Sequence, residues 1–270
     1  MNKLGLIAGN GNFPVLLARQ AQKAGYSVYT ASFTKDIDSN LKKISKSATY
    51  LKIGQLSACI NFFKSNDVKK VVMGGLIKHS SVFDLIPDLR ATKLLVSLKD
   101  KRAATVLKAI ISEFAKEGIE FTGTEKLLKD HLAKCGILTK TKPDKVQQKN
   151  IQLGWKAAKT LADLDVGLTS AVCNGVIVAL EGMEGTDRCI IRAGELCKTS
   201  IKKPELTVVK VARTKQDFRF DLPVIGVNTI KSMLKAGAKT LAIEANKTLL
   251  LDKDELIKLA NQNKISIVVQ

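Results

Sequence analysis

The feature that most limits what this chain can fold into is the alternation of short apolar runs and amphipathic stretches in its first half. Residues 4–8 form an apolar run that ends in Gly9-Asn10-Gly11. A helical pattern follows over 14–24, with Pro14 in its first turn and Gly25 as its stop. The same alternation then continues, with strand patterns at 26–32, 68–73 and 119–122 and helical patterns at 55–66, 88–98 and 103–116. Strands separated by helices pair in parallel, because the crossover carries the chain back along the sheet. The first half is therefore predicted to be a Rossmann-like parallel sheet with flanking helices.

Residues 139–147 are polar and poor in apolar side chains, as a linker would be. Beyond them a helix is predicted over 147–164. A hairpin follows at 171–172 and 176–180, turned at Asn174-Gly175. A helix over 188–196, a strand over 206–212 and a helix capped by Asn228 or Thr229 and ended by Gly237 come next. Strands at 241–244, 248–251 and 265–269 and a helix at 253–262 complete the chain. The expected fold class is α/β in two domains. A Rossmann-like domain spans 1–138, a linker 139–147, and a mixed α/β catalytic domain 148–270. The length of 270 residues suits two domains at roughly 150 residues each.

A formal charge of +19 invites a nucleic-acid reading, which three observations oppose. The excess is lysine, with only seven arginines to read phosphate and base edges through two bonds at once. The charge is spread over both halves, and its longest runs are pairs such as Lys42-Lys43. Aromatics are 5%, too few for base-stacking platforms. No nucleic-acid partner is expected. Four of the seven arginines (Arg188, Arg192, Arg213, Arg219) fall within one short stretch, which suits local anion contacts or structural ion pairs. Five cysteines without CxxC spacing point to free thiols in a reducing cytoplasm. With only His79 and His131 to activate a thiol, a Cys/His site is not expected. The most apolar stretch, 166–180, is too short and polar to span a bilayer, so any membrane contact is expected to be peripheral.

Three segments carry the candidate chemistry. Gly9, Asn10 and Gly11 follow a strand and precede a helix, the place where helix amides can meet a phosphate. They do not complete a dinucleotide fingerprint. Pro14 holds the third glycine position, and no acidic residue ends the second strand at Ser32-Phe33. A phosphate contact and a purely structural turn both remain open. Glu184-Gly185-Thr186-Asp187-Arg188 leaves a strand and enters a helix. Thr186 or Asp187 would cap that helix on the structural reading. On the functional one, Glu184 and Asp187 offer oxygen ligands while Thr186 and Arg188 hold phosphate. In the third segment, Asp217, Arg219 and Asp221 would share a face of extended chain. That pattern suits Mg²⁺ beside a phosphate, or an intrachain Asp–Arg pair.

The opening Leu6-Ile7-Ala8-Gly9-Asn10-Gly11-Asn12-Phe13-Pro14, the Glu184-Gly185-Thr186-Asp187 loop, the segment from Gln216 to Pro223 and the stretch from Gly237 to Glu244 together resemble the LpxI family. These are UDP-2,3-diacylglucosamine pyrophosphatases of lipid A biosynthesis in some Gram-negative bacteria. The resemblance runs over nearly the whole chain. It implies a Mg²⁺-dependent hydrolase that splits UDP-2,3-diacylglucosamine into UMP and 2,3-diacylglucosamine 1-phosphate (lipid X). It also implies a homodimer, a cytoplasmic location peripheral to the inner membrane, and a site between the two domains. Carried over, Asp221, Asp187, Asp217 and Glu184 would be catalytic, the three aspartates also binding metal. Thr186, Arg188 and Arg219, with Gly9, Asn10 and Gly11, would bind substrate phosphate. The chain departs from the family in three places. Asn10 replaces a glycine, though asparagine tolerates left-handed backbone. Lys99-Asp100-Lys101 replaces a glycine followed by two acids, and Gly182 replaces alanine. The alternative reading is a non-catalytic nucleotide- or anion-binding α/β protein.

Overall fold

A computed structural model describes residues 2–75, 87–100, 102–200, 204–219 and 222–270. His79, Lys101 and Asp221 lie outside them. By its contacts the chain divides into two units, Met1–Leu128 with Asp217–Phe220, and Lys129–Gln216 with Asp221–Gln270.

Unit 1 runs β1 (Asn2–Ala8), α1 (Phe13–Lys23), β2 (Tyr26–Ser32), α2 (Ser39–Ile44), β3 (Ser47–Tyr50), α3 (Leu56–Ser65), β4 (Lys70–Gly74), α4 (Leu89–Ser97), α5 (Ala103–Lys116) and β5 (Glu120–Phe121). Its sheet is wholly parallel in the order β3-β2-β1-β4-β5. This is the expected doubly wound arrangement. Two elements were not predicted, α2 and β3. Both are short, and α2 rests on a local device: the Asp38 carboxylate accepts from Asn40 and Leu41 amides at its start. The sheet core closes on Phe63, Phe114 and Phe121, the last two meeting edge to face at 5.0 Å.

Unit 2 runs β6 (Gly136–Ile137), α6 (Lys145–Asp163), β7 (Thr169–Cys173), β8 (Val176–Leu180), α7 (Thr186–Ser200), β9 (Leu206–Lys210), β10 (Val224–Ile225), α8 (Val227–Ala236), β11 (Thr240–Ile243), β12 (Leu249–Leu250), α9 (Lys253–Gln262) and β13 (Ser266–Val269). Its main sheet is mixed, in the order β6-β13-β11-β9-β7-β8. Strands β9, β11 and β13 are parallel, while β7 runs antiparallel to both β9 and β8. The hairpin turn falls on Asn174 and Gly175, both with positive φ, as an Asn-Gly turn requires. Helix α8 ends at Gly237 in the left-handed region, but its N-cap is Gly226, with Thr229 inside the first turn. Asn228 and Thr229 thus lie two and three residues past the cap, because the chain already adopts helical backbone at Val227.

Residues 139–147 belong to unit 2 and do not link two bodies. Thr139 is buried, and its Oγ1 accepts from Ile267 N at 2.9 Å. Lys140 N donates to Asn261 Oδ1, and Asp144 caps α6 by accepting from Gln147 N. The polar side chains that suggested a linker serve these fixed hydrogen bonds instead. Unit 1's contacts end at Leu128, earlier than the predicted 138.

Candidate active site

In unit 1 the strand order reverses direction between β1 and β4, which makes their carboxyl ends the switch point of the sheet. Gly9 N donates to Gly74 O at 2.8 Å, which ties the loop after β1 to the end of β4. Gly75 follows with φ +95°. A Cβ there would lie 2.8 Å from the Gly9 carbonyl carbon, 2.8 Å from Pro14 Cγ and 2.9 Å from Asn10 O. Only a glycine lets the two loops close on each other. The turn's own left-handed residue is Gly11 (φ +93°), not Asn10, so the Asn10 replacement needs no left-handed tolerance. Asn12, the N-cap of α1, makes no side-chain capping bond.

Asp217 and Arg219 also belong to unit 1, where the Thr124 amide donates to Phe218 O at 3.3 Å. The segment is a pair of turns, not the extended strand expected. Asp217 Oδ1 accepts from Arg219 N and Nε, and Oδ2 accepts from Arg219 NH2 at 2.7 Å. The Arg219 hydrogen bonds hold the Asp217 carboxyl below the usual aspartate range. Asp217 and Arg219 thus form an intrachain Asp–Arg pair.

In unit 2 the loop from β8 to α7 is tied at every polar position. Glu184 pairs with Arg192 and also accepts from Gly182 N at 3.0 Å. The bond from Arg192 keeps the Glu184 carboxyl low. Arg192 donates again to Leu180 O. Behind the loop, Glu181 Oε2 accepts from Leu168 N, and Glu181 Oε1 accepts from the Thr186 hydroxyl at 3.0 Å. The Glu181 carbonyl would sit 2.3 Å from a Cβ on Gly167, so the two segments touch backbone to backbone there. Helix α7 begins at Thr186, and the Thr186 side chain turns inward to this network instead of capping the helix.

The residue that completes the network was not singled out from the sequence. Lys210, last in β9, is 8% exposed, and its Nζ donates to Thr186 Oγ1 at 2.6 Å. It pairs across the sheet with Thr169, whose hydroxyl is 3.4 Å from that of Thr186. The signal was legible in principle: Lys210 is the lone charge in the apolar run of residues 206–212. Lys210 thus places a buried ammonium at the start of α7. Asp187 and Arg188 occupy the first turn of the same helix and are exposed.

On the opposite face of the sheet, Glu244 is 9% exposed just past β11. It accepts from Lys159 Nζ at 2.6 Å, from Ala212 N at 2.9 Å and from Lys247 Nζ at 2.8 Å. Burial pushes its carboxyl up, but these three donors outweigh burial and hold it below the ordinary glutamate value. A depressed carboxyl contributes stability that is full above the unfolded pKa and is lost as pH falls through the folded one. Glu244→Gln is therefore expected to cost about 1–3 kcal/mol near neutral pH. The gap to the unsubstituted protein should narrow as urea melts are repeated below the glutamate range. A pH-independent gap would remove this assignment.

The sequence-predicted residues are distributed over both units. Glu184, Thr186, Asp187 and Arg188 share the start of α7 in unit 2, Asp217 and Arg219 pair in unit 1, and Gly9, Asn10 and Gly11 sit at the unit 1 switch point. Among the described residues no three His, Cys, Asp or Glu side chains converge as a metal-binding group. Burial pushes the thiols of Cys59 and Cys189 up to about 12, so neither is a nucleophile at neutral pH. No described helix is long and apolar enough to cross a membrane.

These features define a two-unit α/β protein with a glycine loop after β1 and a strand-to-helix loop between β8 and α7. Comparison with known proteins names the group. The model of the LpxI N-terminal domain matches residues 3–131, and that of the LpxI C-terminal domain matches 134–268. The chain belongs to the LpxI family. It is 29% identical over 267 residues to the UDP-2,3-diacylglucosamine pyrophosphatase LpxI of Caulobacter vibrioides, covering 97% of this chain and 95% of that one. Among solved structures it is similar to an N5-carboxyaminoimidazole synthetase from Staphylococcus aureus complexed with ADP. That match has TM-score 0.30 and 11% identity, over 64% of this chain and 32% of the other. An N5-carboxyaminoimidazole ribonucleotide synthetase from Thermotoga maritima matches with TM-score 0.27 and 14% identity, over 76% and 44%. The chain spans less than half of either structure, and at these scores the likeness carries no argument.

Proposed function

We propose that this protein is a UDP-2,3-diacylglucosamine pyrophosphatase, which uses water to release UMP and leave 2,3-diacylglucosamine 1-phosphate (lipid X). The observation that carries the reading is the joint match of both LpxI domains along the chain, together with the Glu184–Arg188 strand-to-helix loop intact in unit 2. The name of the Caulobacter relative gives the substrate. Its two phosphates need positive partners, and the first turn of α7 supplies backbone amides beside Lys210 and Arg188.

Magnesium fits some of the expected ligands better than others. Asp187 offers an exposed carboxylate, and Mg²⁺ needs only one or two beside its waters and phosphate oxygens. Asp217 and Glu184 already give both oxygens to neighbours, so Asp187 and Asp221 are the residues we assign to the ion. When bound, Mg²⁺ supplies positive charge to the phosphate oxygens on which negative charge builds. The chain's own work is to hold those oxygens with Lys210, Arg188 and the α7 amides while water displaces the bridging oxygen. A carboxylate accepts the proton that the attacking water loses. A cytoplasmic enzyme meeting its diacyl substrate peripherally at the inner membrane accords with this reading.

Incubation of the pure protein with UDP-2,3-diacylglucosamine is expected to release UMP, and a chelator is expected to stop it. The unit 1 switch point favours one other reading, a non-catalytic nucleotide binder. That reading gains if UDP binds, with or without chelator, while no UMP appears.

A further inference from the structure

We propose that Glu181 is a positioning residue: its carboxylate takes the hydroxyl proton of Thr186, turns the lone pairs of that hydroxyl to Lys210, and so fixes the ammonium at the start of α7. The inference rests on the hydrolase reading, in which Lys210 holds a phosphate oxygen of the substrate. Glu181 acts through Thr186 and not by its own contact with substrate.

The direction of every bond in the cluster follows from what each group can do. An ammonium only donates and a carboxylate only accepts, while a hydroxyl donates one proton and accepts through two lone pairs. Lys210 Nζ lies 2.6 Å from Thr186 Oγ1, so that bond runs from Lys210 to Thr186. Glu181 Oε1 lies 3.0 Å from the same oxygen, so that bond runs from Thr186 to Glu181. The one proton of Thr186 is then used, and the Thr169 hydroxyl at 3.4 Å can only donate to it. Thr186 thereby has its full complement of one acceptor and two donors. Without the Glu181 carboxylate no charged acceptor holds the Thr186 proton, and the hydroxyl can rotate that proton toward Lys210, where it opposes the ammonium.

Glu181 is itself held on both backbone and side chain. Its Oε2 accepts from Leu168 N at 3.1 Å, and its own amide donates to Thr169 O at 2.9 Å. A Cβ on Gly167 would lie 2.3 Å from its carbonyl oxygen. Thr169 begins β7, and Lys210, its register partner, ends β9. Carboxylate and ammonium are thus tied to each other twice, once through the paired strands and once through Thr186. A polar network matched in this way specifies one arrangement of its members. Glu184 does not substitute for Glu181, because its oxygens go to Arg192 and Gly182 N.

The test is a pair of double-mutant cycles on the full chain. Thr186→Val and Glu181→Ala are each expected to lower kcat for UMP release by about ten-fold, with KM within about two-fold of the unsubstituted value. Thr186→Ser keeps the hydroxyl and should stay within about three-fold in kcat. In a Lys210→Met background, Glu181→Ala should change kcat by less than about two-fold, since the group it positions is gone. Losses that multiply in that background overturn the proposal, as does an unaltered kcat in Thr186→Val. Urea melts of the same set need no substrate. The double variant Glu181→Ala, Lys210→Met should lose less stability than the two single losses summed, and strict additivity overturns the link between the residues. If no protein of the set releases UMP, the hydrolase reading falls by itself, and the melts decide whether Glu181 holds Lys210.

Discussion

Lys210→Met is expected to lower kcat for UMP release by about 10²–10³-fold. The size follows from the position of the side chain. Lys210 is buried at the end of β9, with its ammonium 2.6 Å from Thr186 Oγ1. A methionine of similar length keeps the packing of the lysine stem while removing its charge. The same ammonium faces the start of α7, where the proposed substrate's phosphates would build negative charge. Removing one fixed donor to such charge is worth a few kcal/mol in the transition state. Steady-state kinetics read this loss, and calorimetry beside it shows whether the fold is kept. A purely structural Lys210 would lower stability and leave kcat alone, and that pairing of results would sink the assignment.

Gly75→Val is expected to destabilise unit 1 by about 2–4 kcal/mol, the sum of left-handed strain and forced contacts. The residue has φ +95°, where a β-branched side chain is strained in any surroundings. Its Cβ would also enter a space bounded by backbone of Gly9 and Asn10 and by the Pro14 ring, none of which is a movable side-chain tip. Relief requires the two loops at the switch point to part, so UDP affinity should fall together with stability. A lowering of roughly 5–10 °C by differential scanning calorimetry is the expected size. A shift inside about 1 °C would mean that the loops do not close as described.

Much of the fold was legible because it rests on local rules. The strand at 26–32 and the helices at 103–116 and 253–262 are observed with those limits, since long apolar periodicity and clear stops define them. The short elements α2 and β3 were missed because their few residues gain stability from the sheet and carry little pattern of their own. The polar residues 139–147 read as a linker because composition does not say whether a polar side chain faces water or a fixed partner such as Ile267 N.

The candidate site divides along the same line. Residue types and their order were sufficient to find the strand-to-helix loop at Glu184–Asp187, the glycine turn at Gly9–Gly11 and the family they belong to. Sequence spacing put Asp217 and Arg219 on one face of a strand in the second half. The tertiary structure instead folds them as a turn with unit 1, each satisfying the other. It also decided that Thr186 faces Lys210 and Glu181, contacts made across 24 and 5 residues of sequence. The physical reason is range. Periodicity and turn preference act over a few neighbours and are written in order along the chain. A buried charge is placed by the strand pairing and helix packing that surround it, and these join residues far apart in sequence.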